Sequence, residues 1–174
     1  MIKHVPNILT LLRIALLPVL VWMLYADLSL AALLLYIFCS ITDFLDGWMA
    51  RQYNIQSAFG TFLDPIADKI FIGVLIVALA ALGRVEGLWI IPALIIITRE
   101  FLISGLREYL GPKNIQMPVS NLAKWKTTIQ MIALGFLVYG GSLLTVGQVA
   151  LCFAAILTVI TGYSYVKIGF KHIK

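Results

Sequence analysis

Apolar positions run along this chain in long stretches, and polar residues collect in the short gaps between them. A helix needs about 20 mostly apolar residues to cross a bilayer. Six stretches qualify, at 7–26, 29–51, 60–82, 88–109, 122–140 and 144–169. The gaps carry turn formers: Asp27, residues 52–57, Gly83 to Gly87, Gly111 to Ser120 with Pro112 and Pro118, and Gly140 to Ser142. Glycine tolerates left-handed backbone and proline cannot continue the helical hydrogen-bond ladder, so both end helices. No internal repeat or linker interrupts the series. Residues 1–174 are therefore expected to form a single all-α integral membrane domain with six transmembrane helices. The first stretch is longer than a signal-peptide apolar core of about 7–15 residues, and no cleavage site follows it, so it reads as a membrane helix.

Six crossings return the chain to the side on which it began. Lys3, the loop after Arg51, Arg107, Lys113, Lys124, Lys126, Lys167, Lys171 and Lys174 fall on that side, and Arg84 alone among the basic residues falls opposite. Basic residues mark the cytoplasmic face, which places both termini in the cytoplasm. Trp22 and Trp89 near outer helix ends, and Trp48 and Trp125 near inner ones, occupy the interfacial positions aromatic residues favour.

Composition agrees. Of the 174 residues, 61% are hydrophobic and 12% charged, against roughly 45–50% and about 25% in soluble domains. A water-soluble enzyme and a disordered chain are excluded. The net charge of +5 would otherwise suggest nucleic acid, but in a lipid-embedded chain it marks the cytoplasmic face and anionic lipids, so no nucleic-acid partner is expected. Cys39 and Cys152 each lie inside an apolar run and read as packing residues. No Arg/Ser-rich transit segment is present, which favours the bacterial cytoplasmic (inner) membrane.

The exception to this apolar pattern is a set of four aspartates on two consecutive helices. Asp43, Asp46, Gly47 and Ala50 share one face at the end of the second helix, and Gly60, Asp64 and Asp68 share one at the start of the third. Acids inside membrane helices are costly and usually functional. The second helix reaches the cytoplasm where the third leaves it, so the pair can present four carboxylates to one cavity. Arg51 and Lys69 offer some counter-charge, but two cations cannot balance four acids. Two divalent cations would, and oxygen-only ligands suit Mg2+, Mn2+ or Ca2+ better than zinc. Metals about 3.5–4 Å apart can clamp a phosphoryl group. The small residues Gly47, Ala50 and Gly60 leave that face open to a flat or phosphorylated ligand.

The string Asp43-x2-Asp46-Gly47-x2-Ala50-Arg51-x8-Gly60-x3-Asp64-x3-Asp68 resembles the complete signature of the CDP-alcohol phosphatidyltransferase family. The resemblance implies a six-helix membrane enzyme, usually a homodimer, that uses two divalent metals and displaces CMP from a CDP-linked lipid with an alcohol. It implies Mg2+ or Mn2+, with Ca2+ as a non-productive substitute. It implies Asp43, Asp46 and Asp64 as metal ligands, and Asp68 as a shared ligand and general base on the attacking hydroxyl. Gly47, Ala50, Arg51 and Gly60 would hold the cytidine diphosphate portion.

The acceptor must be read elsewhere. Arg107, Lys124 and Lys126 sit at the cytoplasmic ends of the fourth and fifth helices, where they could form a basic pocket for a phosphate. Snorkelling of cations toward the interface explains Lys126 and Lys113 adequately. Arg99 starts too deep for that, and its neighbour Glu100 faces elsewhere on an ideal helix, so another partner is expected. These segments, with the opening Asn7, Thr10 and Arg13, resemble the phosphatidylglycerophosphate synthase branch of the family. That branch implies CDP-diacylglycerol as donor and sn-glycerol 3-phosphate as acceptor, with Arg99, Arg107, Lys124 and Lys126 on the acceptor phosphate. Asn7, Thr10 and Arg13 lie near the cytoplasmic mouth and would support donor binding. Serine, inositol phosphate or phosphatidylglycerol as acceptor is the alternative, and an aspartate-based cation transporter or a prenyltransferase a more distant one. Neither of the latter accounts for Gly47, Ala50, Arg51 and Gly60 at fixed offsets.

Overall fold

A computed structural model describes residues 5–52, 58–113 and 120–173; the side chains of 46–51 and of several other helical residues lie outside what it describes. The described residues form six α-helices: α1 (Val5–Tyr25), α2 (Ser29–Gln52), α3 (Ala58–Ala81), α4 (Ile90–Leu110), α5 (Asn121–Tyr139) and α6 (Leu144–Ile173). Each coincides with one of the expected stretches to within a few residues, and the described residues contain no strand. Among the described residues, three helical segments are long and apolar enough to cross a membrane, Asn7–Tyr25, Gly87–Leu110 and Gly141–Lys167, with a shorter apolar segment at Ser29–Leu45. Large apolar side chains also point outward, among them Trp22, Phe44, Phe62, Leu88 and Phe153. An apolar exterior over an apolar interior is the arrangement lipid stabilises and water does not.

Two compact units share the helices. The first comprises Met1–Arg84 with Val138–Gly141, the second Val85–Leu137 with Ser142–Lys174. In the first, α1 packs against both α2 and α3. Leu20, Leu24, Leu75 and Leu79 are fully buried there, and the rings of Tyr36 and Phe71 stack at 6.0 Å between α2 and α3. In the second, α4 packs against α6. Cys39 is buried, Cys152 half-buried, and both are free thiols.

The helix ends show why the gaps fall where they do. Asp27 adopts φ 55° and Gly83 φ 71°. After each, the chain closes the preceding helix with paired backbone bonds: Leu28 N–H to Met23 O with Asp27 N–H to Leu24 O, and Arg84 N–H to Leu79 O with Gly83 N–H to Ala80 O. These are Schellman ends, which satisfy carbonyls a helix terminus would otherwise leave open. The end of α5 is closed differently. Arg84 Nη1 donates to the carbonyl of Val138 and Nη2 to Ser29 Oγ at 3.3 Å. The only basic residue assigned to the outer side is thus a structural clip across the first unit. Burial pushes its guanidinium below the ordinary arginine pKa, with the Asp27 carboxylate opposing that shift.

Gly140 lies beside this clip at φ +71°, and a Cβ there would stand 3.1 Å from Arg84 Cζ. Gly140→Ala should therefore lower stability by about 1–2 kcal/mol, the cost of a left-handed non-glycine residue, with crowding of Arg84 added. Thermal unfolding of the detergent-solubilised chain checks this, and a melting temperature equal to wild type would refute it.

Candidate active site

The first unit gathers three of the four signature acids onto one face of α1. Thr10 and Arg13 lie one turn apart on that helix, as Asp64 and Asp68 do on α3. Thr10 Oγ1 donates to Asp64 Oδ1 at 2.9 Å, and Arg13 Nη1 donates to Asp68 Oδ1 at 2.9 Å. The two rungs run in the same order, so α1 and α3 are parallel along this contact. The same Arg13 nitrogen also pairs with Asp43 Oδ1 from α2. One guanidinium thus holds carboxylates from two helices. Its side chain is 4% exposed, whereas those of Asp43 and Asp68 are 36% and 51% exposed. The arginine is sealed behind the acids, which keep an open side for a ligand.

Arg13 was expected only near the donor's entrance; its pairing with the acids was missed. The signal was present, because a cation in the middle of an apolar first helix needs a carboxylate partner. Of the counter-ions the sequence offered, the Arg51 side chain lies outside the described residues, and among those described both ion pairs to the acids come from Arg13. Asp46, Gly47 and Ala50 sit on the helical backbone of α2, but their side-chain surroundings also fall outside the described residues. Gly60 is buried and Asn7 half-buried.

Carboxylate oxygens are hard donors, and this set fits a divalent cation of the Mg2+ type better than zinc. Asp43 and Asp68 already converge on a positive group, the Arg13 guanidinium. Among the described residues no three acid, histidine or cysteine side chains are gathered at metal-ligand spacing. The oxygen donors match such a cation in kind, and the side chain of Asp46, the fourth acid, lies outside the described residues.

The second unit builds a basic cluster. Lys126, its side chain 4% exposed, pairs with Glu100 Oε1, and Arg99 Nη1 reaches the same oxygen at 3.3 Å. This corrects the helical-wheel expectation for Glu100. Although adjacent positions point about 100° apart, both side chains are long enough to curl together. Arg99 Nη2 lies 3.5 Å from Thr161 Oγ1. The guanidinium carbons of Arg99 and Arg107 stand 5.6 Å and 5.5 Å from the centre of the Tyr165 ring. Lys126 is buried rather than snorkelling, whereas Lys124 is exposed and makes no ion pair among the described residues. The sequence reading missed Thr161 and Tyr165. Thr158, Thr161, Gly162 and Tyr165 recur at i, i+3, i+4 and i+7, which places them on one face of α6.

A family model described as CDP-alcohol phosphatidyltransferase matches residues 3–160. The chain belongs to that family. Within it, the chain is 47% identical to the CDP-diacylglycerol–glycerol-3-phosphate 3-phosphatidyltransferase of Rickettsia bellii, over 95% of this chain and 94% of that one. It is 37% identical to the protein of the same name from Pectobacterium atrosepticum, over 94% and 93%. With that of Haemophilus influenzae the identity is 35%, over 95% and 93%. In the family signature as it stands here, Asp43, Asp64 and Asp68 are the members that α1 holds.

Arg13→Gln should lower the melting temperature in chelator, because Asp43 and Asp68 would lose their shared cation. The expected loss is about 1–3 kcal/mol, less than for a fully buried pair because both acids are partly exposed. Arg13→Lys should recover part of it, and Thr10→Val should cost about 1 kcal/mol. Equal melting temperatures for Arg13→Gln and wild type would contradict the bridging role.

Proposed function

We propose that this chain transfers the phosphatidyl group of CDP-diacylglycerol to sn-glycerol 3-phosphate, giving phosphatidylglycerol phosphate and CMP. The observation that carries the reading is the convergence of Asp43, Asp64 and Asp68 on one face of α1 through Thr10 and Arg13. The relatives whose names state this activity support it. Asp43, Asp46, Asp64 and Asp68 hold two divalent cations, Mg2+ or Mn2+, with Ca2+ as a non-productive substitute. Bound there, such cations would neutralise charge on the transferring phosphoryl group.

In the reaction, the acceptor's hydroxyl gives its proton to Asp68, and its oxygen bonds to the phosphorus that carries the diacylglycerol. The bond from that phosphorus to the CMP oxygen breaks, and CMP leaves with the electron pair. Asp68 suits the base role because half of its side chain is accessible while Arg13 fixes one oxygen. Gly47, Ala50, Arg51 and Gly60 hold the donor's cytidine diphosphate, and Asn7 and Thr10 support its binding.

The acceptor's phosphate goes to Arg99, Arg107 and Lys126, with Lys124 at the rim. Glu100 offsets one of the charges of Arg99 and Lys126, and with the exposed Arg107 two positive charges remain. A phosphate monoester carries about −2 at neutral pH, so the charges balance. Serine, a zwitterion of zero net charge, would leave the net positive charge of this cluster unbalanced.

Six membrane spans with both termini in the cytoplasm put this chemistry on the cytoplasmic face of the bacterial inner membrane. The whole chain acts as one domain, and it pairs as a homodimer, as the family resemblance implies.

Release of CMP from CDP-diacylglycerol by the purified chain, with a panel of acceptors, tests the proposal. Activity should require a divalent metal and sn-glycerol 3-phosphate and vanish in chelator. Asp68→Asn should lower kcat by about a hundredfold or more, within the range for loss of a general base. Equal rates with serine, or with no phosphorylated acceptor, would overturn the acceptor assignment.

A further inference from the structure

We infer that Tyr165 is a positioning residue that aims Arg99 and Arg107 at the acceptor's phosphate and so sets the preference for a phosphorylated alcohol. This rests on the acceptor reading above. Arginines eight residues apart on one helix have long side chains with many rotamers, and ordering them costs conformational entropy. Here both guanidiniums are drawn to one ring, at 5.6 Å and 5.5 Å, within the roughly 6 Å at which a cation is attracted to an aromatic face.

The ring is a fixed point. Tyr165 is 4% exposed and packs with Ile103 of α4, Ala123 of α5 and Val166. Its Oη accepts the Ser120 N–H at 3.3 Å, and Ser120 caps α5 through its own Oγ to Ala123 N–H at 3.2 Å. One turn before Tyr165, Gly162 leaves space for the Arg99 stem; a Cβ there would lie 3.2 Å from Arg99 Cγ.

The choice of a ring has a chemical consequence. A carboxylate at this position would hold the arginines but compete with phosphate for them. An aromatic face attracts a cation without taking its charge or its N–H donors. Arg99 Nε is buried and has no hydrogen-bond partner among the described residues. A buried donor left open is costly unless a ligand meets it, and a phosphate oxygen is the acceptor that arginine geometry favours.

The test replaces Tyr165 with phenylalanine and then with phenylalanines bearing one, two and three ring fluorines. These keep the shape of the side chain while withdrawing negative charge from its face, so folding is preserved across the series. With the full chain in detergent, KM for sn-glycerol 3-phosphate should rise with each fluorine, to about tenfold over the phenylalanine reference. Both kcat and KM for CDP-diacylglycerol should stay within about twofold. A flat acceptor KM, or a fall in kcat alone, would overturn the role of Tyr165. Arg99→Gln and Arg107→Gln run alongside. If they raise acceptor KM while the fluorine series is flat, only the role of Tyr165 fails; if they leave it unchanged, the phosphate pocket itself is wrong.

Discussion

A charge inside an apolar bundle must find a partner within the protein, because the surrounding medium offers none. In the first unit that requirement is met by one arginine. Arg13 is nearly sealed from the surface, yet its Nη1 serves both Asp43 on α2 and Asp68 on α3. Thr10 does the same for Asp64 one turn away. The register of three helices is thereby tied to the positions of the acids. The Tyr36–Phe71 stack holds α2 to α3 farther along the same pair. An apolar contact there tolerates small slips, whereas a shared hydrogen-bonded ion pair does not.

The second unit solves the same problem with the opposite sign. Arg99 and Lys126 share one carboxylate, Glu100, and the guanidiniums of Arg99 and Arg107 gather at an aromatic ring instead of a second acid. The difference suits the proposed ligands. Acids that await cations can tolerate a resident guanidinium, while cations that await a phosphate are better held by a group that leaves their charge intact.

The helices and their ends were legible because two strong signals coincide in this chain. Apolar runs mark the spans, and Asp27, Gly83 and Gly140 mark the stops; all three adopt positive φ. The four acids were legible for a related reason, since carboxylates stand out in apolar helices. What sequence could not supply was pairing across helices. Arg13 lies 30 residues from Asp43 and 55 from Asp68, a separation that no periodicity encodes. Glu100 was misplaced because an ideal wheel fixes the Cα–Cβ direction and not the end of a long side chain. Tyr165 was overlooked because a tyrosine in a membrane-like helix reads as packing, and only the repeat through Thr158, Thr161 and Gly162 distinguishes it from the exposed Tyr163.

The position of Arg13 on the first helix also has a bearing on biogenesis. A ribosome makes α1 before α2 and α3, so the guanidinium is synthesised 30 residues ahead of Asp43 and 55 ahead of Asp68. Each acid is therefore made after its counter-ion, and the order of the helices along the chain lets Asp43 and Asp68 meet a cation that already exists.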